Sequence, residues 1–189
     1  MSRVYRICVR ESLRKVVRAS DHVRTQVELL NVLPADQMAD LLAAELVRRG
    51  FQHQRGTAIR DDNGVQVAVE LATGTVTVKA GTSREINVEA QNTGYSPDAK
   101  GPAVKRVEQH LRDELKKTLE KRAGERKEQL QAEVTNKLEA QLGDLRKELD
   151  QAVNRVTAEA LKRKAAQLGT IKQVTEDPQS GSLTIVLEV

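Results

Sequence analysis

The chain has 189 residues, of which 31% are charged and only 2% aromatic, and its formal net charge is +4. So few bulky side chains argue against a dense ligand pocket and against most enzyme classes, and no apolar run approaches the length of a membrane span. The single cysteine, Cys8, has no partner for an internal disulfide, and the N-terminus lacks the apolar region of a signal peptide, so we expect a cytoplasmic protein.

Residues 1–91 carry the strand and helix patterns of a small α+β module. Alternation of apolar and polar side chains predicts a strand at 4–9, continued or followed by a second short strand at 13–18. A further strand is predicted at 23–32, paired with the stretch before Asp21-His22. The prediction is therefore a small antiparallel sheet with one packed helix.

The helix of this module is predicted to begin with Pro34 in its first position and to end at Arg48-Arg49-Gly50. Turn-forming sequences, Asp61-Asp62-Asn63-Gly64 and Thr73-Gly74, then separate short strands. The predicted buried face of the helix comprises Met38, Leu41, Leu42, Leu46 and Val47, and the predicted strands cover 57–60, 65–71, 75–79 and, as a fourth, 84–90.

Residues 92–102 are rich in turn formers and are predicted to be a linker. A binding loop around Tyr95 is the functional alternative for this stretch.

Residues 103–168 contain neither proline nor an aromatic residue and predict one long, coiled-coil-like helix. Its apolar side chains form a narrow stripe, and the other faces carry alternating acids and bases typical of a solvated surface. Such a stripe needs a partner helix, so we predict a homo-oligomer, most simply a dimer, with parallel and antiparallel pairing both open. The oligomerisation stripe comprises Val104, Val107, Leu111, Leu115, Leu119, Leu130, Val134, Leu138, Leu142, Leu145, Leu149, Val153 and Val156.

Two glycines, Gly124 and Gly143, interrupt this stretch, and a helix that turns back at either is the alternative to a continuous one. Residues 169–189 predict a C-terminal β-hairpin with strands at 170–175 and 183–189. Because a lone hairpin is marginal in water, we expect it to dock on the sheet of a second copy.

No residues stand at the spacing of a catalytic, cofactor-binding or metal site. The histidines His22, His53 and His110 lie in three different elements, and Cys8 has no neighbouring base. The Asp61–Gly64 stretch lacks the spaced acids of a calcium loop and is interpreted as a turn. An enzyme with its site in residues 51–64 is the least favoured alternative. A nucleic-acid-associated protein is the second interpretation, and it would use the basic clusters Lys116-Lys117, Lys121-Arg122 and Lys162-Arg163-Lys164.

The order strand–helix–meander and the tail resemble a group of small uncharacterised bacterial and plastid α/β proteins. The tail motifs are Lys164-Ala165-Ala166-Gln167-Leu168-Gly169, Glu176-Asp177 and Gly181-Ser182-Leu183-Thr184-Ile185. Relatives of this kind accompany AAA+ ATPases in multi-component systems. The resemblance implies an accessory or adaptor role with an AAA+ ATPase as the first partner to test, and it supplies no catalytic residues.

Overall fold

A computed structural model of the protein describes residues 4–177 and 182–188. It has the predicted α+β architecture, with a five-stranded antiparallel sheet, one long helix and a C-terminal hairpin. Contacts divide the chain into two compact units, Met1–Ser20 with Gly81–Thr135 and Asp21–Ala80 with Asn136–Val189. In chain order, the elements are β1 Tyr5–Gln26, α1 Ala35–Arg48, β2 Gln52–Gln54, β3 Thr57–Asp62, β4 Val65–Glu70, β5 Thr75–Ser96, α2 Pro102–Leu168, β6 Thr170–Asp177 and β7 Ser182–Glu188.

The first unit is a two-stranded ribbon of β1 and β5 with the N-terminal half of α2 on one face. The odd-numbered residues Val9, Val17 and Ala19 of β1 are buried, as are the even-numbered residues Ile86, Val88 and Ala90 of β5. This alternation of period two places one face of each strand against the helix. Gly94 marks a close approach, since a Cβ there would lie 2.8 Å from Cγ1 of Val107 on α2.

The five strands follow the order β1-β5-β4-β3-β2, and the second unit holds β2, β3 and β4 with residues 21–26 of β1 and 75–80 of β5. A tight connection at 61–64 sets the register of β3 and β4. Asn63 and Gly64 have positive φ angles of 55° and 81°, and the amide of Gly64 donates to Oδ1 of Asp61 over 2.8 Å. The predicted turn at 61–64 is therefore confirmed, and it places Asp62 opposite Val65.

Two strands are longer than predicted. The predicted pairing of 23–32 with the stretch before Asp21-His22 is wrong, because β1 continues through these residues to Gln26 as one strand, and residues 27–32 are not a strand. The two strands predicted at 75–79 and 84–90 are one strand, β5, which also takes up residues 92–96 of the predicted linker. Each strand supplies the other with a hydrogen-bonding neighbour over a matching length, which outweighs weak local turn signals. β2 was not predicted.

The first helix follows its prediction with two exceptions. Pro34 is the N-cap, and the helix begins at Ala35, so proline lies one position earlier than expected. Met38, Leu41, Leu42 and Leu46 are buried as predicted, whereas Val47 is 50% exposed. Gly50, with φ of 86°, follows the last turn, where a left-handed residue ends the helix.

The long helix α2 is continuous through Gly124 and Gly143, so the alternative of a helix that turns back is excluded. Strands β6 and β7 pair as the predicted hairpin, and residues 178–181 and Val189 lie outside the described residues. Within the described part of the chain, the hairpin is a separate two-stranded sheet and does not extend the five-stranded one.

Candidate functional site

A buried carboxylate on α1 anchors a cluster of charged side chains in the second unit. Glu45 is only 4% exposed although it lies on the face that carries Leu41, Leu42 and Leu46. Arg49, one turn later, donates from Nε to its Oε1 over 2.8 Å. Guanidinium nitrogens of Arg48 and of Arg155 on α2 lie 3.7 Å from the same carboxylate. The burial of this negative charge is therefore compensated by three positive groups.

Arg60 of β3 forms the second half of the cluster. Its two terminal nitrogens contact both carboxylate oxygens of Glu148 on α2, at 2.7 and 2.8 Å, and Nε donates to Asp62 over 2.8 Å. Its guanidinium also donates to the carbonyl of Arg49 and lies 4.4 Å from the ring centroid of Phe51. All the guanidinium nitrogens are thus engaged, and one side chain connects α1, β3 and α2.

This geometry keeps both members of the pair ionised. Hydrogen bonds from Arg60 lower the pKa of Glu148, with partial burial acting in the opposite direction. The hydrogen bond to Glu148 likewise raises the pKa of Arg60. A general acid or base works best with a pKa near the operating pH, and both shifts lead away from neutrality. The pair is therefore suited to holding elements together.

A cleft of about 750 Å³ lies beside Glu45, between α1, the C-terminal part of α2 and the first residues of β7. Its lining is mainly polar and charged. Glu45 and Glu159 are the acids, and the side chains of Arg48 and Arg155 are 73% and 70% exposed. Arg163 pairs with Glu159 at 3.6 Å. The cleft offers exposed guanidinium groups to a charged segment of another molecule.

The predicted oligomerisation stripe is mostly buried inside the chain. Val104, Val107, Leu142 and Val153 are half-buried. In the first unit, Leu130 shares a cavity wall with Val17 and Ile86. In the second unit, Leu145 lies beside Val65 and Val78. The buried members are Leu111, Leu115, Leu119, Leu130, Val134, Leu138, Leu145, Leu149 and Val156. Sheet residues of the same chain therefore cover most of the stripe, and its pairing with a second copy stays a prediction.

We expect Leu138→Ala to lower the free energy of unfolding by about 3 kcal/mol, because Leu138 is 1% exposed and its truncation leaves a cavity. Urea denaturation at two widely separated protein concentrations measures this loss. The midpoint should be independent of concentration if the stripe is covered within one chain. Leu161→Ala, at a position on α2 that is 39% exposed, is the matched control and should change little. A midpoint that rises with concentration, and stops rising in Leu138→Ala, would contradict this assignment.

Other residues singled out in the sequence lie apart from one another. Cys8 is exposed on β1, and His110 pairs with Glu114 at 3.2 Å. Phe51, in the region considered for an enzyme site, is buried beneath Arg60. Tyr95 is 65% exposed near the end of β5, not in a loop. Across residues 4–177 and 182–188, no group of three potential metal ligands is found, and no helix is both long and apolar enough to cross a bilayer.

Some cations of the basic clusters on α2 are exposed, and others have partners within their own unit. Lys116, Lys117 and Lys121 are exposed, whereas Arg122 donates to the carbonyl of Glu89 in the same unit. Arg163 pairs with Glu159, as above. A phosphate-binding track needs neighbouring free cations, so the arrangement gives this alternative no added support.

Sequence reasoning missed the ion-pair cluster. One signal was present on α1, since an acid on an apolar helix face, followed four residues later by Arg49, predicts a buried pair. Nothing local signalled that Arg60 and Glu148, 88 residues apart, would meet.

Fold and cluster together define an α+β protein in which ion pairs join helices to the sheet beside a polar cleft. The chain belongs to the family described as FtsH ternary system domain X5, whose model matches residues 1–189. That description associates the domain with a multi-component system of the AAA+ protein FtsH, and it confirms the association with AAA+ proteins that the resemblance implied. No curated protein and no solved structure matches the chain.

Proposed function

We propose that this chain is a non-enzymatic accessory protein of an FtsH ternary system, an adaptor that binds another component of that system. The observation that carries the proposal is the family match over residues 1–189. The ionised Arg60–Glu148 pair supports a binding role, since a stable pair holds a surface in one shape. Pairing with a second copy through α2 stays a prediction, which the concentration dependence of the unfolding midpoint tests.

The cleft beside Glu45 is the surface we assign to the partner. Glu45 is held by Arg49, so the exposed side chains of Arg48 and Arg155 are free to turn toward an acidic group without leaving a buried charge alone. In the complex, the guanidinium groups of Arg48 and Arg155 would exchange their 3.7 Å contacts with Glu45 for shorter, charge-assisted hydrogen bonds to the partner. This exchange would favour binding. Exposed charged side chains around a binding surface chiefly raise the association rate and the specificity of binding.

The experiment uses the purified full chain and purified FtsH from the same host, mixed in defined amounts and followed by sedimentation velocity. We expect a complex that the double variant Arg48→Gln/Arg155→Gln weakens about tenfold, in line with two partly screened charge contacts. The control Arg106→Gln/Lys116→Gln removes the same charge from exposed positions of α2 in the first unit and should leave binding unchanged.

Two results would contradict the proposal. One is the absence of any complex with FtsH and with the other purified components of the system. The other is turnover of a substrate by the chain alone, which would make it an enzyme. If wild type and the cleft variant bind FtsH equally, the adaptor role stands, but the cleft is not the binding surface.

A further inference from the structure

The exposed face of the first unit carries arginines at a regular interval. Arg6, Arg10, Arg14 and Arg18 are all even-numbered residues of β1, and all four are exposed. We call this set the arginine row. Side chains alternate between the two faces of a strand, so the row lies on the face opposite Val9, Val17 and Ala19, which are buried against α2. Successive members are about 13 Å apart, at about 3.3 Å per residue.

Neighbouring residues of β5 only partly neutralise the row. Arg14 lies 3.3 Å from Glu85, with both side chains more than half exposed. Arg10 donates to the neutral amide oxygen of Gln91 over 2.9 Å. Glu85 and Glu89 are the acids on this face of β5. Four positive charges therefore face two negative ones, and the surplus lies along the outer strand.

The row also lies at an edge of the sheet. β1 is the terminal strand in the order β1-β5-β4-β3-β2. The carbonyl of Ser20 accepts a hydrogen bond from the side chain of Gln131 over 3.1 Å, which indicates that it points away from β5. In an antiparallel ladder, backbone groups of alternate residues point to the same side. The backbone N–H and C=O groups of the even-numbered residues therefore point to the open edge, beside the arginine side chains.

An edge of this kind can accept an added strand, whose main chain supplies the affinity and whose side chains supply the specificity. A strand added to β1 places its residues directly opposite the arginine row, where unlike charges stabilise and like charges destabilise the pair. A second copy of this chain would set Arg against Arg. Charge complementarity therefore selects an extended segment with acidic side chains at alternate positions.

We propose that the edge of β1 between Arg6 and Arg18 binds an extended acidic segment of a partner protein by strand addition. The proposal rests on the binding role proposed above but concerns a different surface from the cleft. Its test requires only the purified chain and a synthetic peptide. Failure here would therefore leave the result with FtsH untouched.

The probe is a peptide of about 13 residues that alternates Glu with Thr, long enough to pass all four arginines at about 3.3 Å per residue. We expect each Arg→Gln substitution in the row to weaken binding about threefold and the fourfold variant about eighty-fold, because each exposed contact contributes only modestly. Titration followed by isothermal calorimetry at low and moderate salt measures both effects. The charge-matched control Arg106→Gln/Lys116→Gln/Lys117→Gln/Lys121→Gln, at exposed positions of α2, should bind like wild type.

A second probe separates strand addition from simple charge attraction without altering the protein. The same peptide, N-methylated at the residues that would donate to β1, keeps its charge and loses its edge hydrogen bonds. We expect it to bind at least tenfold more weakly. Equal binding of the two peptides, no binding of either, or tighter binding of a single-stranded oligonucleotide of equal charge would each overturn the proposal.

Discussion

Arg60→Ala will lower the free energy of unfolding by about 3 kcal/mol, because it removes one partner of a half-buried ion pair together with two further hydrogen bonds. The substitution leaves Glu148 without its bidentate partner and removes a donor from Asp62 and from the carbonyl of Arg49. It also exposes the ring of Phe51, over which the guanidinium lies. Thermal or urea unfolding monitored by circular dichroism measures the loss.

The control for this prediction is Arg84→Ala, which breaks an ion pair with Glu133 whose side chains are about 60% exposed. An exposed pair of this kind contributes about 0.2–1 kcal/mol, so the control should change stability much less. Arg60→Lys should recover only part of the loss, since an ammonium group cannot contact both carboxylates and the carbonyl at once. Equal losses in Arg60→Ala and Arg84→Ala would show that the cluster does not hold the unit together.

The loss of stability at acidic pH gives a second test of the Arg60–Glu148 ion pair. Because the pKa of Glu148 is lowered in the folded protein, its contribution is present above the ordinary glutamate value of 4.5 and is lost as pH falls through the lowered value. Wild type should therefore lose stability below about pH 4.5, and Arg60→Ala should lose less over the same interval. An unchanged acid slope in the variant would assign the dependence to other carboxylates.

Local patterns in the sequence were sufficient for the elements that depend on near neighbours. The buried face of α1, the turn at 61–64 and the C-terminal hairpin follow from periodicity and turn chemistry. The continuity of α2 through Gly124 and Gly143 was predicted because a hairpin at Gly143 would have arms of unequal length, and each glycine costs a helix only about 1 kcal/mol.

The sequence was insufficient wherever the answer depended on a distant segment. β1 and β5 read as short strands because each contains weak turn formers, and only their pairing makes them 22 residues long. The stripe on α2 was assigned to a second copy because periodicity shows that a face is apolar but not what covers it. Residues of the chain's own sheet cover it. The contact between Arg60 and Glu148 was also unpredictable from local sequence, because it joins β3 to the distant helix α2.

The stripe on α2 and the arginine row differ in how accessible they are to a partner. With Leu138 and Leu115 buried, α2 presents a charged outer face and its apolar residues stabilise the fold. The sheet, part of the module at 1–91, exposes Arg6 to Arg18 on its terminal strand in the first unit. Binding by this protein is therefore expected to depend on ionic strength, in contrast to the apolar helix pairing predicted from periodicity.

Gly74→Ala will also destabilise the second unit by about 3 kcal/mol, from left-handed backbone strain and a steric clash together. Gly74 has φ of 70°, and a Cβ there would lie 2.6 Å from the backbone oxygen of Val27, which cannot move aside as a flexible side chain would. Its carbonyl accepts from the amide of Val27 over 2.9 Å, and its own amide donates to Glu70 over 2.8 Å. Relief of the clash would weaken the bond that joins the end of β1 to the turn before β5.

Gly56→Ala separates the two contributions. Gly56 has a similar φ of 80°, but a Cβ there would meet no atom within 4 Å. Its alanine variant should lose only about 1 kcal/mol, the strain of a left-handed non-glycine residue. The difference between the two variants then measures the close packing of Gly74 on Val27, and urea unfolding of both under identical conditions gives it directly. Equal losses would mean that the segment 27–34 moves aside, and that β1 is not anchored to this turn.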